Sequence, residues 1–295
     1  MKKYEEFDHN VHSMLDNPPR TPLQIKTFLL EYRNKIIRQD GPWIKGHKEK
    51  FDVEYNLNSV GLRSDNFKTE HDKKHILFAG CSNTFGVGTD YDKIWTQMVY
   101  QDISKNEELD GYYNVGINGS TIIEIIFQTC KYIEKYGAPD TIFMLLPEVE
   151  RDDNFFIYPE IYTDVFVSRV YGMFEMLCKG YGINLLTTSW VFDFPSLWDI
   201  LLHSKKSVKE EFPNKLARSK VRNEDSMFDE LNDNYESFLP LDPNQFINDI
   251  YEYSLKNQDD PNLYVAKDSG RHFGSAIHYA WKEHFMRRYN DKETN

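Results

Sequence analysis

The sequence predicts a three-layer α/β/α sandwich built on a parallel sheet. Short apolar runs alternate with segments whose apolar residues recur at helical spacing, and strands alternating with helices imply parallel pairing through crossover helices. The runs are continuous rather than alternating, as at Thr141-Ile142-Phe143-Met144-Leu145-Leu146; this is the pattern of strands covered on both faces. Size agrees: 295 residues, 40% hydrophobic and 15% aromatic, supply a sizeable core and exclude global disorder.

Residues 1 to about 50 read as an N-terminal extension. Leu23 and Ile25 start a helical pattern that is clearer at Phe28, Leu29, Tyr32, Ile36 and Ile37. Pro22 sits where a first helical turn accepts proline, and Gly41-Pro42 ends the segment. Phe51 to Phe67 reads as extended chain with turns. The domain proper, 51–295, then alternates. A strand at 75–80 is followed by a helix near 92–105 carrying Ile94, Trp95, Met98 and Val99, and by a short strand at Tyr112 to Val115. The next helix runs from about Ser120 to Tyr136, capped by Ser120 or Thr121, with Ile122, Ile123, Ile126, Cys130 and Ile133 on one face. A strand at 141–146, a helix near 165–180 and a strand at 183–188 follow, for a sheet of about five strands. The alternation breaks at about 190–245, where a basic stretch from Lys205 to Arg222 precedes an acidic one from Glu224 to Glu236. This reads as a solvated insertion, or more sharply as a cap over a site. A last helix from about Gly274 to Tyr289 carries Ile277, Trp281 and Phe285.

Composition narrows the function. The net charge of −12, from 35 basic and 47 acidic residues, argues against a nucleic-acid partner, which needs a basic face. No window approaches the ~20 apolar residues of a membrane span, so no membrane partner is expected. Cys81, Cys130 and Cys178 are odd in number and widely spaced, which fits neither a disulfide scaffold nor a zinc site. Three unpaired thiols and an N-terminus without a signal-peptide pattern point to the cytoplasm. The sequence carries no signal of oligomeric state.

The chemistry centres on Ser82, in Ala79-Gly80-Cys81-Ser82-Asn83-Thr84-Phe85-Gly86. An apolar run that stops at glycine and turns small and polar is a buried strand entering a tight turn. Serine there either caps the next helix or presents a nucleophile at the strand end, where ligands of open α/β sheets bind. A serine nucleophile needs a base, an orienting acid and oxyanion donors. Asp268 and His272 lie together in Ala266-Lys267-Asp268-Ser269-Gly270-Arg271-His272-Phe273-Gly274, just ahead of the last helix; the alternative is a surface turn that caps that helix.

These residues carry a resemblance. Gly80-Cys81-Ser82-Asn83-Thr84-Phe85-Gly86 resembles the first block of the SGNH/GDSL hydrolases, G-D-S-x-T-x-G. Asn114-Val115-Gly116-Ile117-Asn118-Gly119-Ser120-Thr121 is similar to the second block, whose oxyanion glycine falls on Gly119. The Asp268 to His272 turn resembles the last block, and the likeness spans about residues 75 to 290. Asn58-Ser59-Val60-Gly61-Leu62-Arg63 looks like a strand-turn found ahead of the nucleophile in members with N-terminal extensions. The resemblance implies a flavodoxin-like parallel sheet and a serine esterase or acyl hydrolase, without cofactor or metal. Ser82 would be the nucleophile, His272 the base and Asp268 the acid. The backbone N–H groups of Ser82 and Gly119 would hold the oxyanion. Small-molecule or glycan O-acyl esters, O-acetyl sugars among them, are the implied substrates. An O-acyltransferase with the same triad, and a catalytically silent module binding a glycan or a protein, stay open.

The chain departs from the pattern in three places. Cys81 replaces the aspartate before the nucleophile, and is read as a small buried residue rather than the nucleophile itself. The third strand ends Leu146-Pro147-Glu148 with no Asn to donate to the oxyanion; Asn118 is the candidate substitute. Three residues rather than two separate Asp268 from His272, and Ser269 takes the strict position. A lost oxyanion donor costs about 10²–10³ in rate, a lost nucleophile or base on the order of 10⁶, so these departures predict a slow or retuned enzyme before a dead one. Other chemistries fit worse. Gly86-Val87-Gly88 lacks the third glycine of a dinucleotide turn, since position 91 is Tyr91. His272, His278 and His284 turn about 240° at each step on a helix and share no face. Glu148, Glu150, Asp152 and Asp153 read as a solvated loop, in which Arg151 pairs with one of them or meets a substrate carboxylate.

Overall fold

The computed structural model describes residues 53–147, 159–189, 237–239, 241–267 and 272–293. The N-terminal extension, the basic and acidic stretches of the insertion, the 148–158 loop and the Asp268 to Arg271 turn lie outside the described residues.

Four parallel strands form the sheet among the described residues, against an expected five or so. They are β1 (Ile76–Gly80), β2 (Tyr113–Asn114), β3 (Thr141–Leu146) and β4 (Asn184–Ser189), in the order β2-β1-β3-β4. Register runs Leu77 to Tyr113, Ile76 to Thr141 and Thr141 to Asn184. Every residue of β1 and β3 is buried, as continuous apolar runs require. Thr187 also bridges to Phe238, within the 190–245 stretch expected to be an insertion.

The helices are α1 (Ser82–Phe85), α2 (Trp95–Ile103), α3 (Ile122–Tyr136), α4 (Pro159–Gly180), α5 (Pro243–Lys256) and α6 (Ser275–Glu293). Helix α2 packs on α6, and α3 on α4. The strand order extends from β1 in both directions, so crossovers of the usual right hand put these pairs on opposite faces, giving three layers. On one face Phe78 of β1 stacks on Phe143 of β3 at 5.4 Å, and Trp95 of α2 stacks on Phe285 of α6 at 4.8 Å. Phe78 meets Trp95 edge-on at 5.6 Å, which closes the core between sheet and helices. The sequence locates β3 to the residue and α3 to within two, because capping fixes the start of α3. Thr121, not Ser120, is the cap: Glu124 N–H donates to Thr121 Oγ1 at 3.3 Å and Thr121 N–H donates to Glu124 Oε2 at 2.9 Å.

Two elements differ from expectation. Helix α4 starts at Pro159, earlier than 165. Helix α5 overlaps the end of the expected insertion and carries the chain into the domain. Asp242 caps it by accepting from Asn244 N–H (2.9 Å) and Gln245 N–H (3.3 Å), with Pro243 in its first turn. Arg287 of α6 then grips Asp249 of α5 with two bonds, 2.7 and 3.2 Å. No helix among the described residues is long and apolar enough to cross a membrane.

Candidate active site

All four strands point the same way, so their C-terminal ends line one edge, where open α/β folds bind ligands. Strand β1 reaches that edge at Gly80. A Cβ there would stand 2.0 Å from Thr84 Oγ1 and 2.7 Å from Leu145 O, so only glycine lets the next helix fold back so tightly. Cys81 occupies the N-cap, with its carbonyl accepting from Thr84 and Phe85 N–H, both at 3.0 Å. Ser82 opens α1 as its first residue. The helix ends at once on Gly86 (φ +80°), whose N–H donates to Ser82 O at 2.9 Å. Ser82 is thus presented on a sharp strand-to-helix turn. Among the described residues its N–H has no acceptor. Its hydroxyl donates to Cys81 Sγ at 3.9 Å. Cys81 itself is fully buried.

The turn after β2 lies against this element. Ile117 N–H donates to Gly80 O at 3.1 Å, and Asn114 Nδ2 donates to Thr84 O at 2.8 Å. Asn114 Oδ1 accepts from Gly116 N–H at 2.8 Å. Gly116 passes flush with α1, since a Cβ there would be 2.8 Å from Phe85 N. Gly119 follows in a left-handed conformation (φ +80°) with open space where a Cβ would go. Glycine serves the backbone angle there, not a close contact. Gly119 and Asn118 are exposed, and neither the Gly119 N–H nor the Asn118 side chain is engaged among the described residues. Beside them a groove of about 410 Å³ runs along α3, lined by Ile117, Asn118, Gly119, Glu124, Phe127 and Lys131.

His272 stands on a strand pair that packs on the loop following Ser82. Val265 bridges Phe273 in antiparallel fashion, and Ala266 N–H donates to His272 O at 3.0 Å. One residue further, Lys267 N–H donates to Gly88 O at 2.9 Å and Lys267 Nζ pairs with Asp90 at 2.9 Å. Gly274 permits the crossing into α6, since a Cβ there would stand 2.2 Å from Asn262 O. The loop that leaves Ser82 and the strand pair that carries His272 are therefore joined by a backbone hydrogen bond and an ion pair. His272 is buried at 7% exposure, and the Ser82 hydroxyl makes no hydrogen bond to it here. Asp268 lies outside the described residues, as do Glu148, Glu150 and Arg151.

His278 and His284 are helix residues of α6. Both are buried, and burial pushes each down to about 3. His278 Nδ1 accepts from Trp95 N–H at 3.3 Å, while Nε2 faces Thr89 Oγ1 at 3.4 Å. No group of three metal-ligating side chains occurs among the described residues.

Three supporting residues escape a search for reactive groups: Asn114, Tyr55 and Arg63. Asn114 and Arg63 do fall inside the quoted blocks, yet nothing local marks them as ties to α1.

The chain matches no protein-family model and no curated protein. Among solved structures it is similar in outline to a psychrotrophic esterase, EstA, from Pseudoalteromonas sp., at 12% identity and a TM-score of 0.43, over 75% of this chain and 98% of that one. A member of the lipolytic G-D-S-L family from Veillonella parvula aligns at 12% identity and a TM-score of 0.39, over 73% and 97%. A putative acylhydrolase from Bacteroides fragilis aligns at 14% identity and 0.39, over 77% and 91%. At such values the chemistry rests on the chain's own residues.

Proposed function

We propose that the chain is an SGNH/GDSL-type serine ester hydrolase. The observation that carries this reading is the pair of backbone ties, Ile117 N–H to Gly80 O and Lys267 N–H to Gly88 O, which draw the Gly119 turn and the His272 strand pair onto the Ser82 element. Ser82 Oγ attacks the ester carbonyl while His272 takes its proton and then returns it to the leaving alcohol. The acyl group stays on Ser82 until water, deprotonated by His272, releases it as the acid. Asp268 orients the His272 ring. The N–H groups of Ser82 and Gly119 hold the oxyanion, and the Asn118 amide serves as third donor. Small O-acyl esters, O-acetyl sugars among them, are the substrates; the groove beside Gly119 receives the part that leaves or stays.

The test is labelling by a fluorophosphonate probe together with turnover of short-chain aryl esters. Wild type is expected to label and turn over, while Ser82→Ala does neither and His272→Ala falls by on the order of 10⁶ in kcat. A transferase would speed up when an acceptor alcohol is supplied. One observation favours a second reading, a silent binding module: the Ser82 hydroxyl turns to Cys81 Sγ rather than to His272. Absence of Ser82-dependent labelling and turnover would establish that reading instead.

A further inference from the structure

The loop between α1 and α2 is gripped from outside the sheet by the segment that precedes β1. Arg63 is 1% exposed. Its Nη1 donates to Gly86 O at 2.7 Å and to Thr89 O at 3.0 Å, and its Nη2 donates to Glu54 O at 3.2 Å. The guanidinium lies 4.7 Å from the Tyr55 ring centre and 5.6 Å from that of Tyr91. No carboxylate pairs with it among the described residues; Asp90, whose charge reaches it, is bonded to Lys267. Burying a guanidinium without a counter-ion is costly, and an apolar side chain of similar volume would fill the space without that cost. What an apolar side chain lacks is the set of donors that fixes two carbonyls of one short loop.

That loop links the two halves of the site. Gly86 is the left-handed cap of α1 and bonds back to Ser82 O. Tyr55 supports the same loop: its hydroxyl accepts from Gly88 N–H at 2.7 Å, and its ring stacks on Phe85, the last residue of α1, at 5.7 Å. On the far side Gly88 O accepts from Lys267 N–H, and Thr89 Oγ1 faces His278 of α6, the helix that follows the His272 strand pair. We propose that Arg63 is a positioning residue: by fixing the carbonyls of Gly86 and Thr89, with Tyr55 as second support, it sets where Ser82 stands relative to His272. The inference rests on the reading of Ser82 as nucleophile and His272 as base.

The experiment compares wild type, Arg63→Lys and Tyr55→Phe for fluorophosphonate labelling of Ser82, for kcat and KM on an aryl ester, and for thermal unfolding. A lysine keeps the charge but cannot bond both carbonyls while stacking on the tyrosines. Arg63→Lys is expected to label ~10–100-fold more slowly at full occupancy of the folded state, since a shift of about 1 Å in a reacting group has that effect. Its kcat falls by the same factor while KM stays within about threefold, the signature of a contact needed only in the transition state. Tyr55→Phe moves the same way by a smaller factor, and it decides the matter if Arg63→Lys does not fold. Wild-type rates in the folded fraction of both variants, or in Tyr55→Phe alone where Arg63→Lys is unfolded, would overturn the inference and leave the hydrolase intact. A wild type that takes no label at Ser82 would sink the hydrolase reading and this inference together.

Discussion

Gly80 and Gly119 show how two glycines at one edge answer different physical demands. At Gly80 the demand is space, because a Cβ would overlap Thr84 Oγ1 and crowd Leu145 O. Gly80→Ala is therefore expected to destabilise the fold by more than about 3 kcal/mol, as overpacking without a flexible neighbour does, and urea unfolding would measure it. At Gly119 the demand is the backbone angle, with room to spare around it. Gly119→Ala is expected to fold, losing only about 1–2 kcal/mol to left-handed strain. With Gly119 as the proposed oxyanion donor, its kcat should still fall about 10²-fold; an unchanged kcat would remove Gly119 from that role. Both glycines were legible in the sequence as turn residues. The difference between them was not, because it depends on what stands opposite each one.

Helix α3 ties stability to the site through its first turn. Thr121 and Glu124 form a reciprocal cap directly after the Gly119 turn. Thr121→Ala removes one half of it and is expected to cost about 1 kcal/mol, seen as a lower urea midpoint at unchanged slope. An unaltered midpoint would mean that packing of Ile122, Ile125 and Ile126 against the sheet holds the helix end without the cap. Helix α5 shows the opposite case for legibility. Its start is written in Asp242-Pro243, and Phe246, Ile247 and Ile250 are buried. Asn244, Asn248 and Glu252 on its exposed side, and Asp249 among its buried residues, dilute that pattern until the packing partner, α6, is known.

Across the whole molecule, three buried histidines make the fold sensitive to acid. His75 lies at the start of β1, stacked 3.7 Å from His71 with its Nε2 against Tyr132 Oη at 2.7 Å. Burial, then the neighbouring His71, outweigh the pull of Asp140 and Asp110 and lower it from 6.5 to about 4. His278 and His284 fall to about 3, through burial first, then through His272 and Arg63 for the former and Arg287 and Arg288 for the latter. In each case the unfolded chain binds the proton more readily than the folded one, so stability rises with pH across the interval. It is complete above about 6.5 and is lost as pH falls toward 4 and then 3. The melting temperature should therefore drop steeply from pH 6.5 to 4. His75→Phe, which keeps an aromatic ring but cannot titrate, should flatten that drop even though its own melting point is lower. An equal slope in the variant would exclude His75 as a source. Asp110 works in the same region but in the carboxylate range. Burial raises it, yet hydrogen bonds from Tyr113, His71 and Lys68 prevail and leave it at about 2.

Local rules carried most of the elements: continuous apolar runs became strands, helical spacing became helices, and glycine and threonine marked their ends. That much follows from sequence because each rule acts over a few residues. The gathering of the site does not. Ser82, Gly119 and His272 stand far apart along the chain, and it takes parallel pairing of β1 with β2 and β3, together with the backbone bonds of Ile117 to Gly80 and Lys267 to Gly88, to bring their segments together. Arg63 marks the sharpest divide. In the sequence it ends the Asn58 to Arg63 block, yet nothing local sets its role apart from that of the other basic side chains. Its burial against the loop beside Ser82 is a property of the packed molecule alone, because it takes two carbonyls of that loop, the Glu54 carbonyl and two tyrosine rings to hold a guanidinium away from water.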